Sequence, residues 1–240
     1  MTPAFDEITP HPDEYLDALE HDDAGAGGAP LDLIHERAYV VRAYRRGVDT
    51  LVLRGAIRDQ KPPGLYVPED PEPLTVHHMV VELHVAVPSL EITDARVVFE
   101  THPHRICPSI AENYRGLIGL SIARGFINKV RELYGGPRGC THTTALLQAM
   151  APVAIQSMWS FRIAQARDEG GEAGPGGGPM ATEEGRERAL AMNLGSCHVW
   201  AEGGEQVRSI RAGEPMEVPV WIEDRFRKLG LDPHAWRGDG

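Results

Sequence analysis

Residues 79–87 read Met79-Val80-Val81-Glu82-Leu83-His84-Val85-Ala86-Val87. Every second residue (Met79, Val81, Leu83, Val85, Val87) is apolar, and Glu82 and His84 fall between them. An apolar period of two, rich in β-branched side chains, is a strand with one buried face. Pro88-Ser89 breaks the run, and residues 90–99 return with Val97 and Phe99, which makes a hairpin.

The same pattern lies upstream. Tyr39, Val41 and Ala43 alternate with Val40, Arg42 and Tyr44, and Arg45-Arg46-Gly47 fits a reversal. Residues 50–57 then carry Leu51, Leu53 and Ile57 on one face, with Val52 and Arg54 on the other. Between the two hairpins, residues 61–73 hold five prolines in thirteen positions, which can only be a loop.

Helical spacing takes over downstream. Ser109 and Glu112 have the separation of a capping box. Ile122, Phe126, Ile127, Val130 and Leu133 mark the face of a helix that stops at Gly135-Gly136-Pro137. A longer helix opens near Thr141 and carries Leu146, Met150, Val153, Ala154, Met158 and Phe161, with Pro152 placed to kink or split it. Val199-Trp200 and residues 206–210, around Gly203-Gly204, suggest a last hairpin, and residues 221–229 a short amphipathic helix.

Strands first and helices second predict an α+β fold: an antiparallel β-sheet of two or three hairpins with a helical layer packed on one face. Residues 1–30, small and acidic around 21–28, read as a flexible tail with one or two helical turns at 13–20. Residues 31–215 read as a single domain with a glycine-rich loop at 170–179, and residues 216–240 as a C-terminal helix and tail.

Composition narrows the function. The chain has 240 residues with 35 acidic against 24 basic side chains, a net charge of -11. That balance lacks the basic face a phosphate backbone requires, so no nucleic-acid partner is expected. No apolar run approaches the ~18 residues of a membrane span, and the N-terminus has no signal-peptide pattern. Three cysteines do not make a disulfide framework. A cytoplasmic protein with reduced thiols is the expectation.

The chemistry concentrates around those cysteines. Cys107 and Cys140 each stand beside a predicted helix start, where backbone N–H groups favour a thiolate, and Cys197 sits at a turn. His142 is two residues from Cys140, His198 adjoins Cys197, and His102 and His104 lead into Cys107. Thiolate and imidazole are the ligands of tetrahedral zinc sites, although no Cys-x-x-Cys pair is present and a site must be assembled from distant segments. His77, at the mouth of the third strand, suits proton transfer near neutral pH. Arg105 can grip a carboxylate with two hydrogen bonds. Neither a glycine-rich phosphate loop nor a Gly-x-Ser-x-Gly elbow occurs.

Arg105-Ile106-Cys107-Pro108, Tyr114-Arg115-Gly116-Leu117-Ile118-Gly119-Leu120 and Gly139-Cys140-Thr141-His142 together resemble the bacterial family DUF2889. Val76-His77-His78-Met79 is similar to that family's His-Asp-Met segment, with His78 in place of the aspartate. Cys197-His198-Val199-Trp200 is similar to its Cys-x-x-Trp segment. The resemblance spans residues 33–211 and implies no activity, but its segments contain all three cysteines with His77 and His142.

Convergence of Cys107, Cys140, Cys197 and His142 or His77 on zinc or iron is therefore the leading structural expectation. An open metal would make the protein a hydrolase or lyase acting on an anionic organic acid or carbonyl compound, with His77 as acid or base and Arg105 holding the substrate. The alternatives are a metal-free enzyme with Cys140 as nucleophile and His142 as base, and a non-catalytic protein that binds a metal or ligand. A homodimer is the default assembly.

Overall fold

A computed structural model describes residues 32–123, 125–170, 183–214 and 217–234. The expected tail at 1–30, its turns at 13–20 and all but Gly170 of the glycine-rich loop lie outside the described residues. Contacts divide the chain into two compact units, Met1–Phe161 and Arg162–Gly240, a boundary that the sequence pattern did not suggest.

The first unit is built on four antiparallel strands in the order β1-β2-β3-β4: β1 (Glu36–Arg46), β2 (Thr50–Lys61), β3 (Leu74–Ala86) and β4 (Ile92–Thr101). Both predicted hairpins are present and join into one continuous sheet. Alternation sorts the residues as expected. Leu51, Leu53 and Ile57 of β2 share a buried face with Met79, Val81, Leu83 and Val85 of β3. Against that face pack a 3-10 helix (Cys107–Leu117), α1 (Phe126–Tyr134) and α2 (Thr141–Asp168).

The position of α2 is fixed by Gly55. A Cβ built there would lie 2.8 Å from Met150 Sδ and 3.1 Å from Leu146 Cδ1, so helix and sheet touch through the missing side chain. From Gly55 to Asp59 is four strand residues, ~13 Å, and from Met150 back to His142 is eight helical residues, ~12 Å. The two paths end together, which sets the first turn of α2 over Asp59. Pro152 does not interrupt α2, which is one helix through it, and its ring is on the exposed side.

Two local expectations are corrected. Ser109 and Glu112 form no capping box: the 3-10 helix starts at Cys107, with Ile106 at its N-cap and no side-chain cap bond. Pro108 occupies the first turn, and buried Tyr114 and Leu117 stand three apart, the spacing of a 3-10 rather than an α turn. The third hairpin is helical as well.

That segment belongs to the second unit, which contains α3 (Glu183–Asn193), a 3-10 turn (His198–Trp200), α4 (Glu205–Arg211) and α5 (Val220–Lys228). Gly203-Gly204 leads into α4 instead of reversing a strand, because Val207 and Ile210, three apart, are both buried only if the segment is helical. Among the described residues no helix is long and apolar enough to cross a membrane.

Candidate functional site

The buried face of the sheet is apolar up to its last row, where it becomes charged. Register places Arg37 of β1 opposite Asp59 of β2, and Asp59 opposite His77 of β3. The three are directly aligned across neighbouring strands, one step beyond the row of Tyr39, Ile57 and Met79. Immediately past this row the β2–β3 pairing shifts, Gln60 facing Thr75 and leaving Val76 as the extra residue of a bulge.

Asp59 is only 2% exposed. A carboxylate removed from water must be compensated, and Arg37 does so with two parallel bonds, Nε to Oδ1 at 2.6 Å and Nη2 to Oδ2 at 2.7 Å. Burial alone would raise the Asp59 pKa. The hydrogen bonds and charge of Arg37, with His142, more than reverse that and hold it at about 2. His35 Nε2 lies 3.8 Å from Oδ1.

His142 comes down onto this row from the first turn of α2. Its Nε2 is 2.9 Å from Asp59 Oδ2, and its ring stacks on that of His77 with centroids 3.9 Å apart. On the other side of the imidazole, Nδ1 is 3.8 Å from Cys140 Sγ. With Nε2–H donated to the carboxylate, Nδ1 is the atom left to exchange a proton with sulfur. Thiol, imidazole and carboxylate thus form one unbroken chain, and Arg37 closes its far end.

The electrostatics follow from these contacts. The bond with Cys140 and the Asp59 charge raise the His142 pKa against the opposing effect of burial. Burial would push the Cys140 thiol up, but His142 and the backbone N–H groups of Thr143 and His142 bring it below the ordinary value. Those N–H groups are the unsatisfied donors of a helix start. His77 moves the other way: burial, then the nearby His142 charge, lower its pKa and favour the neutral ring.

Cys140 is positioned from behind. Its N–H donates to Tyr114 Oη at 2.8 Å, and its carbonyl accepts the first helical bond, from Thr144, at 2.9 Å. Tyr114 is 1% exposed and stacked on Tyr134 at 4.5 Å. Gly139 allows this approach, since a Cβ there would lie 2.4 Å from Tyr134 O and 3.0 Å from Tyr114 Oη.

Of the residues singled out from sequence, His77, Cys140 and His142 meet. Cys107 is half-buried at the start of its 3-10 helix, Arg105 is exposed in the turn before it, and Cys197 is exposed in the second unit. Among the described residues, the one group of three or more ligand types with metal-like spacing is Asp59, His77 and His142, whose ligand atoms lie within 4.8 Å of one another; it includes no cysteine. Here His142 Nε2 lies 2.9 Å from a carboxylate oxygen, and both oxygens already bind a guanidinium, whose positive charge opposes a cation at the same group.

Sequence reasoning missed Asp59, Arg37 and Tyr114. The signal for Asp59 was parity: it continues the series Leu51, Leu53, Gly55, Ile57 and so falls on the core face, where a carboxylate needs partners.

Residues 35–156 match the family model described as "Protein of unknown function (DUF2889)". The match covers the whole sheet and the thiol–imidazole–carboxylate chain, and ends before the Cys197 segment. No curated protein and no solved structure matches the chain.

Proposed function

We propose that this chain, which belongs to the DUF2889 family, is a thiol-dependent enzyme that acts on a small carbonyl compound such as an ester or thioester, with Cys140 as nucleophile. One observation carries the reading: Cys140, His142 and Asp59 are connected in series at 3.8 and 2.9 Å, with the thiol brought down and the imidazole brought up. Nucleophile, base and an orienting third group within reach of one another are the requirements of nucleophilic catalysis.

The thiolate adds to the carbonyl carbon, and the N–H groups of His142 and Thr143, released from sulfur as its negative charge passes to oxygen, stabilise the oxyanion. His142 Nδ1–H then protonates the leaving oxygen or sulfur as its bond to carbon breaks, giving an acyl thioester on Cys140. Water attacks that thioester, the neutral His142 taking its proton, and the acid leaves as the thiolate re-forms. Asp59 keeps Nε2 protonated and the ring in plane, and Arg37 keeps Asp59 ionised throughout.

The test is alkylation by iodoacetamide between pH 5 and 9, read at each cysteine by peptide mass spectrometry, alongside hydrolysis of an ester and thioester panel. Cys140 is expected to react at lower pH than Cys197, and Cys140→Ser is expected to abolish hydrolysis. A Cys140 that titrates with Cys197, or purified protein carrying about one zinc or iron per chain with its thiol unreactive, would overturn the reading.

A further inference from the structure

We infer that the substrate of this thiol site carries an apolar acyl group, held by an apolar rim of Leu65, Tyr66 and Val67 together with Leu33, Ile34 and Ile106. The inference rests on the thiol reading above and adds the substrate class.

The rim follows from topology. Asp59 is near the end of β2 and His77 near the start of β3, so residues 62–73 emerge at the sheet end where the charged row stands. Leu33 and Ile34 precede His35, and His35 Nε2 is 3.8 Å from Asp59 Oδ1. Ile106 follows the end of β4, where Thr101 pairs with His78. Three separate chain segments therefore deliver apolar side chains to one end of the sheet. All six are between 48% and 75% exposed.

Residues 62–73 are an ordered element. Gly64 N–H donates to Asp70 O and Asp70 N–H to Val67 O, both at 3.0 Å, and this closes the loop on itself. Its tip turns back toward the strands, because Lys61 Nζ lies over the Tyr66 ring, 5.5 Å from the centroid. Lys61 is only two residues from Asp59. Three consecutive large apolar residues at the tip of a surface loop contribute nothing to the core of this unit. Exposed apolar side chains gathered at the sheet end that carries a reactive centre are a binding feature. A charged or strongly polar acyl group would gain nothing from it, whereas an alkyl or aryl group loses contact with water.

The test uses a chain-length series of N-alkylmaleimides (ethyl, butyl, hexyl) on the full chain at pH 7. The thiolate adds across the ring double bond and the adjacent carbon takes a proton from water. Rates at Cys140 are divided by those at Cys197, which is exposed in the other unit and serves as internal reference. The ratio is expected to rise about twofold per added methylene, since a rim open to water buries only part of each group. In the Leu65→Ser, Tyr66→Ser, Val67→Ser variant the rise per methylene should fall to about half, because Leu33, Ile34 and Ile106 remain. A flat ratio in the wild-type chain, with Cys140 still the faster thiol, overturns the apolar rim and leaves the thiol reading standing. A Cys140 no faster than Cys197 toward any reagent defeats the thiol reading, and this inference with it.

Discussion

Removing the guanidinium from Asp59 should turn a stabilising charge into a destabilising one, and pH should reveal it. Held at about 2 instead of the ordinary 3.8, the carboxyl contributes ~2–3 kcal/mol to the stability of the first unit at neutral pH. Because the folded value is the depressed one, this contribution is complete above about pH 5 and is lost as pH falls through the folded value toward about pH 1. Arg37→Met keeps most of the aliphatic stem and removes the partner. Burial, the strongest single influence on this carboxyl, then prevails, and the folded value rises above 3.8. Breaking a buried pair from one side costs ~3–5 kcal/mol. Arg37 is itself 38% exposed, so the lower end, ~3 kcal/mol, applies. The variant sheds its penalty by protonating Asp59, so the gap to wild type should narrow as pH falls from 6 to 4. Urea midpoints at pH 7, 5 and 4, with amide exchange in β2 and β3 to isolate the first unit, measure that gap. Adding Asp59→Asn to Arg37→Met should recover about half the loss at pH 7. A gap of equal size at pH 4 and pH 7 would refute the argument and reduce Arg37 to a packing role.

Three other changes probe the site's construction. His142→Gln removes the proton partner of Cys140, and the pH midpoint of Cys140 alkylation should move up toward ~8.5, the value of a free thiol; no movement would detach the two residues. Gly139→Ala sets a methyl 2.4 Å from Tyr134 O and should cost ~2–4 kcal/mol, measurable as a lower urea midpoint, with slower alkylation of Cys140 as the loop shifts. Tyr114→Phe removes the acceptor of the Cys140 N–H and should cost ~1 kcal/mol, with Cys140 alkylation slowed several-fold if the phenol positions the thiol.

Much of the first unit was legible because its strands alternate cleanly. Met79 to Val85 fixed a face, and the partners of that face were fixed by the same parity. What periodicity did not supply was extent. β2 runs on to Lys61 and β3 begins at Leu74, yet the extra residues are polar, and a polar residue at the end of an apolar alternation reads as solvent. Asp59 was lost for that reason. The last predicted hairpin failed for a different one: two glycines between short apolar runs suit a turn or a helix entry equally, and only the burial of Val207 and Ile210 separates them. The cysteines were weighed by proximity to helix starts, a criterion that fits Cys107 as well as Cys140. The histidine reaching both thiol and carboxylate distinguishes Cys140, and that depends on where α2 crosses β2 at Gly55.

The row of Arg37, Asp59 and His77 is counted out from turns far away. The reversal between β1 and β2 lies at residues 47–49, and Asp59 is nine residues past Thr50, ~30 Å along the strand. Lengthening or shortening that reversal by one residue would slide β1 along β2 and turn Arg37 to the opposite face of the sheet. The guanidinium would then point away from the carboxylate it neutralises, although nothing near either had been altered. The chemistry at one end of the sheet therefore constrains chain length at the other: the distant reversal tolerates exchange of side chains far better than a change in their number.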